Sequence, residues 1–329
     1  HSSFAGGSRA PVQFGGVAPG GMKLRKFFWP IVGSAAVIFS IWLLYHELRG
    51  VSFEEMKTSF ARISLHSWLL AVLSTFVAYG ALAGYDNIAL KYLNRKVPWL
   101  FITIGSFTTY AISHNIGASV LSGAVVRYRA YASKGLTMAE VGVLVAFCSF
   151  TFAIGVLFLT GLVFVIEPEI VDRFVDILPT DFSRGTGYLL LAVIGLYVAG
   201  SLFRLPPLTI RGFELRYPSL PIVARQLIIG PIEIIGAAGI VYFALPEAGN
   251  PGYLVILGIF LISFSVALLS HAPGGLGVLE LVFVHALSEM DPADVIAALV
   301  VFRLLYLIVP FMIAIVVILA FEHSRLGRD

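Results

Sequence analysis

Between residues 27 and 321 the chain is a succession of apolar runs, several of which reach the roughly 20 residues that cross a bilayer as a helix. Lipid offers no partner to a free backbone N–H or C=O, so a segment of this kind must close its hydrogen bonds within itself. That leaves an all-α polytopic membrane protein as the expected fold class. Composition agrees: 58% of the residues are hydrophobic and 12% charged, against roughly 25% charged in soluble domains. The single cysteine, Cys148, excludes an internal disulfide and a cysteine-based metal cluster. Residues 1–21 are rich in Gly, Ser and Pro, lack an apolar run and read as a disordered tail. The net charge of +3 matters less than where the charges fall.

The apolar segments cover 27–46, 68–92, 99–112 with a return at 118–131, 139–166, 188–203, 222–245, 253–269 with a return at 277–287, and 293–321. Two of them are interrupted in the same way. One break is Ser113-His114-Asn115-Ile116-Gly117, the other Ser270-His271-Ala272-Pro273-Gly274-Gly275-Leu276-Gly277. The residues that define them are His114, Gly117, His271, Pro273, Gly274, Gly275 and Gly277. Broken segments in matching positions of two halves point to a transporter-like site near the bilayer midplane. Basic residues cluster at Lys23, Arg25 and Lys26, at Lys91, Arg95 and Lys96, at Arg127, Arg129 and Lys134, at Arg204, Arg211, Arg216 and Arg225, and at Arg325 and Arg328. The positive-inside rule puts all of these, and both termini, in the cytoplasm. The acidic stretches Glu167–Asp181 and Glu289–Asp294 then lie outside. This assignment holds only if each broken segment enters and leaves on one side. The expected architecture is therefore about six full spans plus two broken re-entrant helical hairpins, in an inverted repeat of residues 22–180 and 186–329. Full crossings with a poor charge bias are the alternative.

Five ionisable side chains lie in or beside the apolar segments: Asp86, Arg127, Glu233, Glu280 and Arg303. A charge at the centre of a spanning helix costs roughly 2.5–3.5 kcal/mol on insertion scales, so each needs a reason to be there. Glu280 falls in the first turn after the second break, where the helix dipole favours an anion. It caps or pairs locally, or that amide-rich end receives a substrate phosphate instead. Arg303, inside the last span, needs a carboxylate, and Glu280 is the natural candidate. Glu233 sits among small residues that permit close helix approach. Asp86 either snorkels, meets Lys91 or takes part in a site. Arg127 and Arg129 either anchor the cytoplasmic face or read a substrate. His114 and His271 read as hydrogen-bond donors at the breaks. No His and carboxylate spacing suggests a metal site, and no cofactor is indicated.

Several of these runs resemble one family. They are Asp86-Asn87-Ile88-Ala89-Leu90, Ser122-Gly123-Ala124-Val125-Val126-Arg127-Tyr128-Arg129, the Glu233 segment, the stretch from His271 to Glu280, and Arg303-Leu304-Leu305-Tyr306. Together they resemble the membrane part of lysylphosphatidylglycerol synthetases, the multiple peptide resistance factors, over about residues 25–322. The resemblance implies an N-terminal lipid-translocating unit of the bacterial cytoplasmic membrane. In full-length members it is joined to a cytosolic transferase that aminoacylates phosphatidylglycerol, and flipped aminoacyl-lipid blunts cationic antimicrobial peptides. It implies a role for an acid–base pair matching Asp86 and Arg127, and for an acid best matched by Glu233, with Glu214 also in the region. The expected function is flipping of an aminoacylated phospholipid, lysylphosphatidylglycerol above all, with Asp86, Arg127, Arg129, Glu233, Glu280 and Arg303 contacting substrate and no catalysis by this chain. The alternatives are a membrane scaffold for a phosphatidylglycerol aminoacyltransferase and a flippase for another lipid. The expected partners are phospholipid, the membrane and a C-terminal synthase domain missing from this chain. A homo-oligomer is compatible with the sequence, which leaves the oligomeric state open.

Overall fold

The computed structural model describes residues 52–116, 119–174, 180–210, 213–270 and 275–326. Helices dominate: α1 (Phe53–Ala61), α2 (Leu65–Tyr92), α3 (Trp99–Ile116), α4 (Ser119–Ala132), α5 (Met138–Ile166), α6 (Thr180–Leu202), α7 (Leu220–Ala244), α8 (Tyr253–Ser270), α9 (Val278–Ala286), α10 (Pro292–Phe302) and α11 (Val309–Leu326). A 3₁₀ turn, Pro168–Arg173, follows α5, and a π-helical segment, Arg303–Ile308, joins α10 to α11. Helix starts are written in polar residues at the ends of the apolar runs. Ser52 with Glu55 and Thr137 with Glu140 form capping boxes, and Ser64 and Asp291 cap α2 and α10. Each satisfies N–H groups that the first helical turn leaves without an intrahelical acceptor.

Five helices among the described residues are long and apolar enough to cross a membrane: Leu65–Tyr92, Met138–Ile166, Asp181–Leu202, Leu220–Ala244 and Pro292–Phe321. They correspond to five of the six expected spans; the sixth, at 27–46, and the tail at 1–21 lie outside the described residues. The protein is an all-α polytopic membrane protein with one small addition. Where the basic loop between spans was expected, Leu208–Ile210 pairs antiparallel with Phe213–Leu215, with Thr209 opposite Glu214.

The most extensive helix contact joins α2 to α7. A Cβ added to Gly236 would lie 2.7 Å from the Ala78 backbone nitrogen and 2.9 Å from the Ser74 carbonyl oxygen. The missing side chain therefore sets how closely these two helices approach. At Gly155 and Gly230, α5 and α7 are as close: a Cβ on Gly155 would stand 2.6 Å from the Gly230 carbonyl. In lipid such contacts carry helix association, since burial of apolar surface contributes no drive there. Helices α3 and α4 pack along each other, as do α8 and α9. Helix α3 leans on α11 and the π segment, α4 on α5, and α8 on α5 and α7.

Two sequence expectations need correction. Ser113 and His114 do not break a helix: α3 continues through Ile116. The reason is local, because the Ser113 hydroxyl donates to the Thr109 carbonyl (2.8 Å) and Asn115 Nδ2 to that of Ala111 (2.8 Å). Polar side chains that bond four residues back stay inside a helix. Gly117, His271, Pro273 and Gly274 lie outside the described residues, whereas Gly275 and Gly277 both adopt positive φ, 64° and 76°, just before α9. The second correction concerns the last span, expected as one regular helix. Pro310 has no N–H to give the Tyr306 carbonyl, four residues back, and its ring crowds that position. The backbone widens into the π segment, and two side chains of the first half supply donors. Tyr79 Oη donates to the Tyr306 carbonyl at 2.8 Å, and Asn115 Nδ2 to the Leu307 carbonyl at 3.0 Å.

Candidate functional site

Three acidic groups stand at three places in this scaffold. Asp86, six residues before the end of α2, is fully buried. Arg127 of α4 donates from its Nη2 to Asp86 Oδ1 at 2.8 Å, and Tyr131, one helical turn further, donates to Oδ2 at 2.7 Å. Cys148 Sγ of α5 lies 3.4 Å from Oδ1. The guanidinium sits 4.6 Å over the Tyr110 ring of α3. Arg127 is only 5% exposed, so it does not anchor at the cytoplasmic surface, and Asp86 neither snorkels nor meets Lys91. The pair is sealed and its charges cancel. Arg127 Nε is buried with no hydrogen-bond partner among the described residues.

Glu280 and Arg303 form the second pair, as expected. Arg303 grips the carboxylate with both arms of its fork, Nε to Oε1 at 2.6 Å and Nη2 to Oε2 at 2.9 Å. The same Nη2 reaches the Gly275 carbonyl at 3.2 Å. Glu280 Oε2 also accepts from the Gly277 N–H at 2.9 Å, which closes the N-terminus of α9. Planar two-point pairing of this kind is strong and directional. It clips the turn before α9 to the start of the π segment.

Glu233 differs from both. It lies 13 residues after Leu220 and 11 before Ala244, in the middle of α7. At helical rise that is about 20 Å from one end, close to the middle of the hydrocarbon layer. It is 4% exposed and accepts a hydrogen bond from the Tyr306 hydroxyl. No Lys or Arg among the described residues pairs with it. Glu233 and Tyr306 form the polar floor of a cavity of about 350 Å³. The walls come from α5 and α8 and, apart from Ser265, are apolar: Phe152, Val156 and Leu157 on one side, Phe260, Phe264 and Leu268 on the other. Leu268 is 52% exposed and the neighbouring Phe150 and Leu269 are exposed too, so the mouth opens on an apolar outer surface.

A line of rings connects the sealed pair to the groove. Tyr110 carries Arg127 on one face and lies 5.8 Å from the His114 ring. His114 stacks on Tyr306 at 5.0 Å, and Tyr306 donates to Glu233. The buried His114 Nδ1 has no hydrogen-bond partner among the described residues. The sequence-expected residues therefore do not face one common cavity holding both signs. Asp86 with Arg127 and Glu280 with Arg303 are separate closed pairs, Glu233 faces the groove, and Arg129 is exposed on α4. Tyr79, Tyr110 and Tyr131 join the site although the sequence reading gave them no role there. For Tyr79 the signal was Pro310, which announces a carbonyl in need of a donor. Among the described residues no group of His, Cys, Asp and Glu could hold a metal ion.

Comparison with known proteins places this architecture. Residues 31–314 match the family described as lysylphosphatidylglycerol synthase TM region. An uncharacterized protein of Synechocystis sp., slr0712, is 30% identical over 93% of this chain and 95% of its own length. The inner membrane protein YbhN of Escherichia coli is 27% identical over 86% of this chain and 89% of its own length. The phosphatidylglycerol lysyltransferase of Staphylococcus haemolyticus is 24% identical over 93% of this chain, which spans only 35% of that enzyme.

Proposed function

From the premise that the chain belongs to the lysylphosphatidylglycerol synthase transmembrane-region family, we propose that it moves phospholipid between leaflets of the bacterial inner membrane, with aminoacylated phosphatidylglycerol as substrate. The observation that carries this reading is the groove between α5 and α8. Its apolar walls suit acyl chains or the lipid backbone, its mouth faces outward along spanning helices, and its floor offers a carboxylate at mid-membrane depth. A head group passing between leaflets needs a polar station there, because hydrocarbon gives it none. The two halves, 22–180 and 186–329, act as an inverted repeat that rocks about the α2–α7 contact, with both termini cytoplasmic. The exchanged leaning of α3 on the last span and α8 on α5 supports that plan.

Catalysis is no part of this reading. The chain corresponds to the membrane part of the lysyltransferases it matches, about a third of their length. The relatives slr0712 and YbhN match over nearly their whole length, so the membrane unit occurs in proteins without the lysyltransferases' additional length. That favours a function of the unit itself over a scaffold for an attached transferase. The test is reconstitution into vesicles carrying labelled lysylphosphatidylglycerol, with a quencher confined to the outer leaflet. Wild type brings about half of the label into reach of the quencher and back, and Glu233→Gln slows this strongly. Vesicles in which the wild-type chain leaves the label in its original leaflet overturn the proposal.

A further inference from the structure

Among the described residues two of the three buried carboxylates have a guanidinium of their own, and the third, Glu233, has only a hydroxyl. A bare carboxylate at that depth is too costly to persist, so it takes either a proton or a cation from outside the protein. The groove is the route by which a cation on a lipid reaches it. We propose that Glu233 exchanges a proton for the primary ammonium group of a lipid. This inference rests on the translocation reading for the groove's occupant, and it adds the ion that occupies the site in the substrate's absence.

The step balances. With the groove empty, the Glu233 carboxyl holds its proton and is neutral. An entering ammonium group becomes the counter-ion, the carboxyl O–H bond breaks, and the proton leaves to water. One positive charge enters the site and one departs. Tyr306 keeps the carboxyl oriented in both states through its hydroxyl. The other titratable groups around the site are accounted for on each element. Tyr79 and Tyr85 come from α2 and bond to the Tyr306 and Gly230 carbonyls. His114 of α3 stacks on Tyr306, and Arg303 is held by Glu280 of α9. The groove walls from α5 and α8 contribute no charged side chain. None of these supplies the missing cation. The sign follows directly: acid returns the proton to Glu233 and expels the ammonium. With one proton exchanged, apparent affinity for an ammonium lipid falls about tenfold per pH unit on the acid side. An acidic outer face therefore favours release there.

Aminoacyl-phosphatidylglycerol and phosphatidylethanolamine both present a primary ammonium. Calorimetric titration of the purified chain with each, in two buffers of different ionisation enthalpy, counts protons released per lipid bound; phosphatidylglycerol is the control. The expected result is release approaching one proton for ammonium lipid and none for phosphatidylglycerol. Release with both ammonium lipids supports a general ammonium site, and release with the lysyl lipid alone supports one that also reads the amino acid. Glu233→Gln should bind without releasing a proton. Glu233→Asp, which keeps the carboxyl, should retain release and so guards against a variant that merely misfolds. Ammonium lipid that binds without proton release, release that survives in Glu233→Gln, equal release with phosphatidylglycerol, or no binding of either ammonium lipid would each overturn the exchange. Proton release by a chain that moves no lipid would remove the translocation reading and leave the exchange standing. Lipid movement without proton release does the opposite.

Discussion

Asp86 and Glu233 are both buried carboxylates on the two helices that share the most extensive contact, yet their surroundings differ in kind. Asp86 has a guanidinium, a phenol and a thiol around it and touches no cavity described above. Glu233 has one phenol and an open groove. A charge whose partner is built in serves to hold helices in place. A charge whose partner must arrive from outside is available for function. Burial alone does not distinguish the two; the inventory of partners does.

The largest effect should follow from breaking the built-in pair. Removing Arg127 as Arg127→Leu leaves Asp86 buried and uncompensated, at a cost of about 3–5 kcal/mol. Thermal unfolding in detergent should show a large drop, and adding Asp86→Leu should recover much of it, since two apolar groups leave no stranded charge. If the double variant is as unstable as the single one, the site depends on shape rather than charge, and the contrast with Glu233 weakens.

Next comes the helix contact that carries both carboxylates. Gly236→Val places atoms where the Ala78 and Ser74 backbones already stand. Overpacking of this kind costs about 1–3 kcal/mol. Because α2 and α7 must separate to relieve it, the substitution should also loosen the bond from Tyr85 to the Gly230 carbonyl, which crosses the same contact. Faster hydrogen exchange in both helices is the expected readout, and exchange confined to α7 would show that α2 does not respond.

The spans were legible because a run of apolar residues has one stable backbone solution in lipid. The Glu280–Arg303 pair was legible because a buried arginine requires an acid and the residues after Gly277 offer one. The ends were less so: α6 starts at Thr180, well before the apolar stretch, because Asp181 and Arg184 are tolerated in its first turns. The first Ser-His pair misled because serine and asparagine can bond back to their own helix as readily as interrupt it. The separation of the charges into closed pairs and an open site was not legible. It depends on which helix faces bring Tyr131 and Cys148 to Asp86, and spacing along one helix says nothing about a neighbour's rotation.

A smaller effect tests the π segment on which Glu233 depends for its phenol. Tyr79→Phe removes the donor that serves the Tyr306 carbonyl, and an unsatisfied buried acceptor costs about 1–3 kcal/mol. Pro310→Ala in the same chain restores a backbone N–H four residues on and should recover the loss. Failure to recover would mean that the widened turn is held by packing, for instance by the stack of Phe302 on Tyr306 at 5.1 Å, and not by the missing donor.

The smallest effect on stability, and the one that separates the two carboxylates most sharply, belongs to Glu233→Gln. The amide keeps the shape and still accepts from the Tyr306 hydroxyl, and it removes no charge from the empty site, where the carboxyl already holds its proton. The change in unfolding free energy should be about 1 kcal/mol or less, because a neutral amide replaces a neutral carboxyl of nearly the same shape. The matching substitution Asp86→Asn should destabilise, since it strands the Arg127 guanidinium in the core. Measured side by side in the same detergent, Asp86→Asn should lower the unfolding midpoint while Glu233→Gln leaves it nearly unchanged. If Glu233→Gln lowers the midpoint as Asp86→Asn does, Glu233 has a structural counter-ion, and its place as the open member of the three is lost.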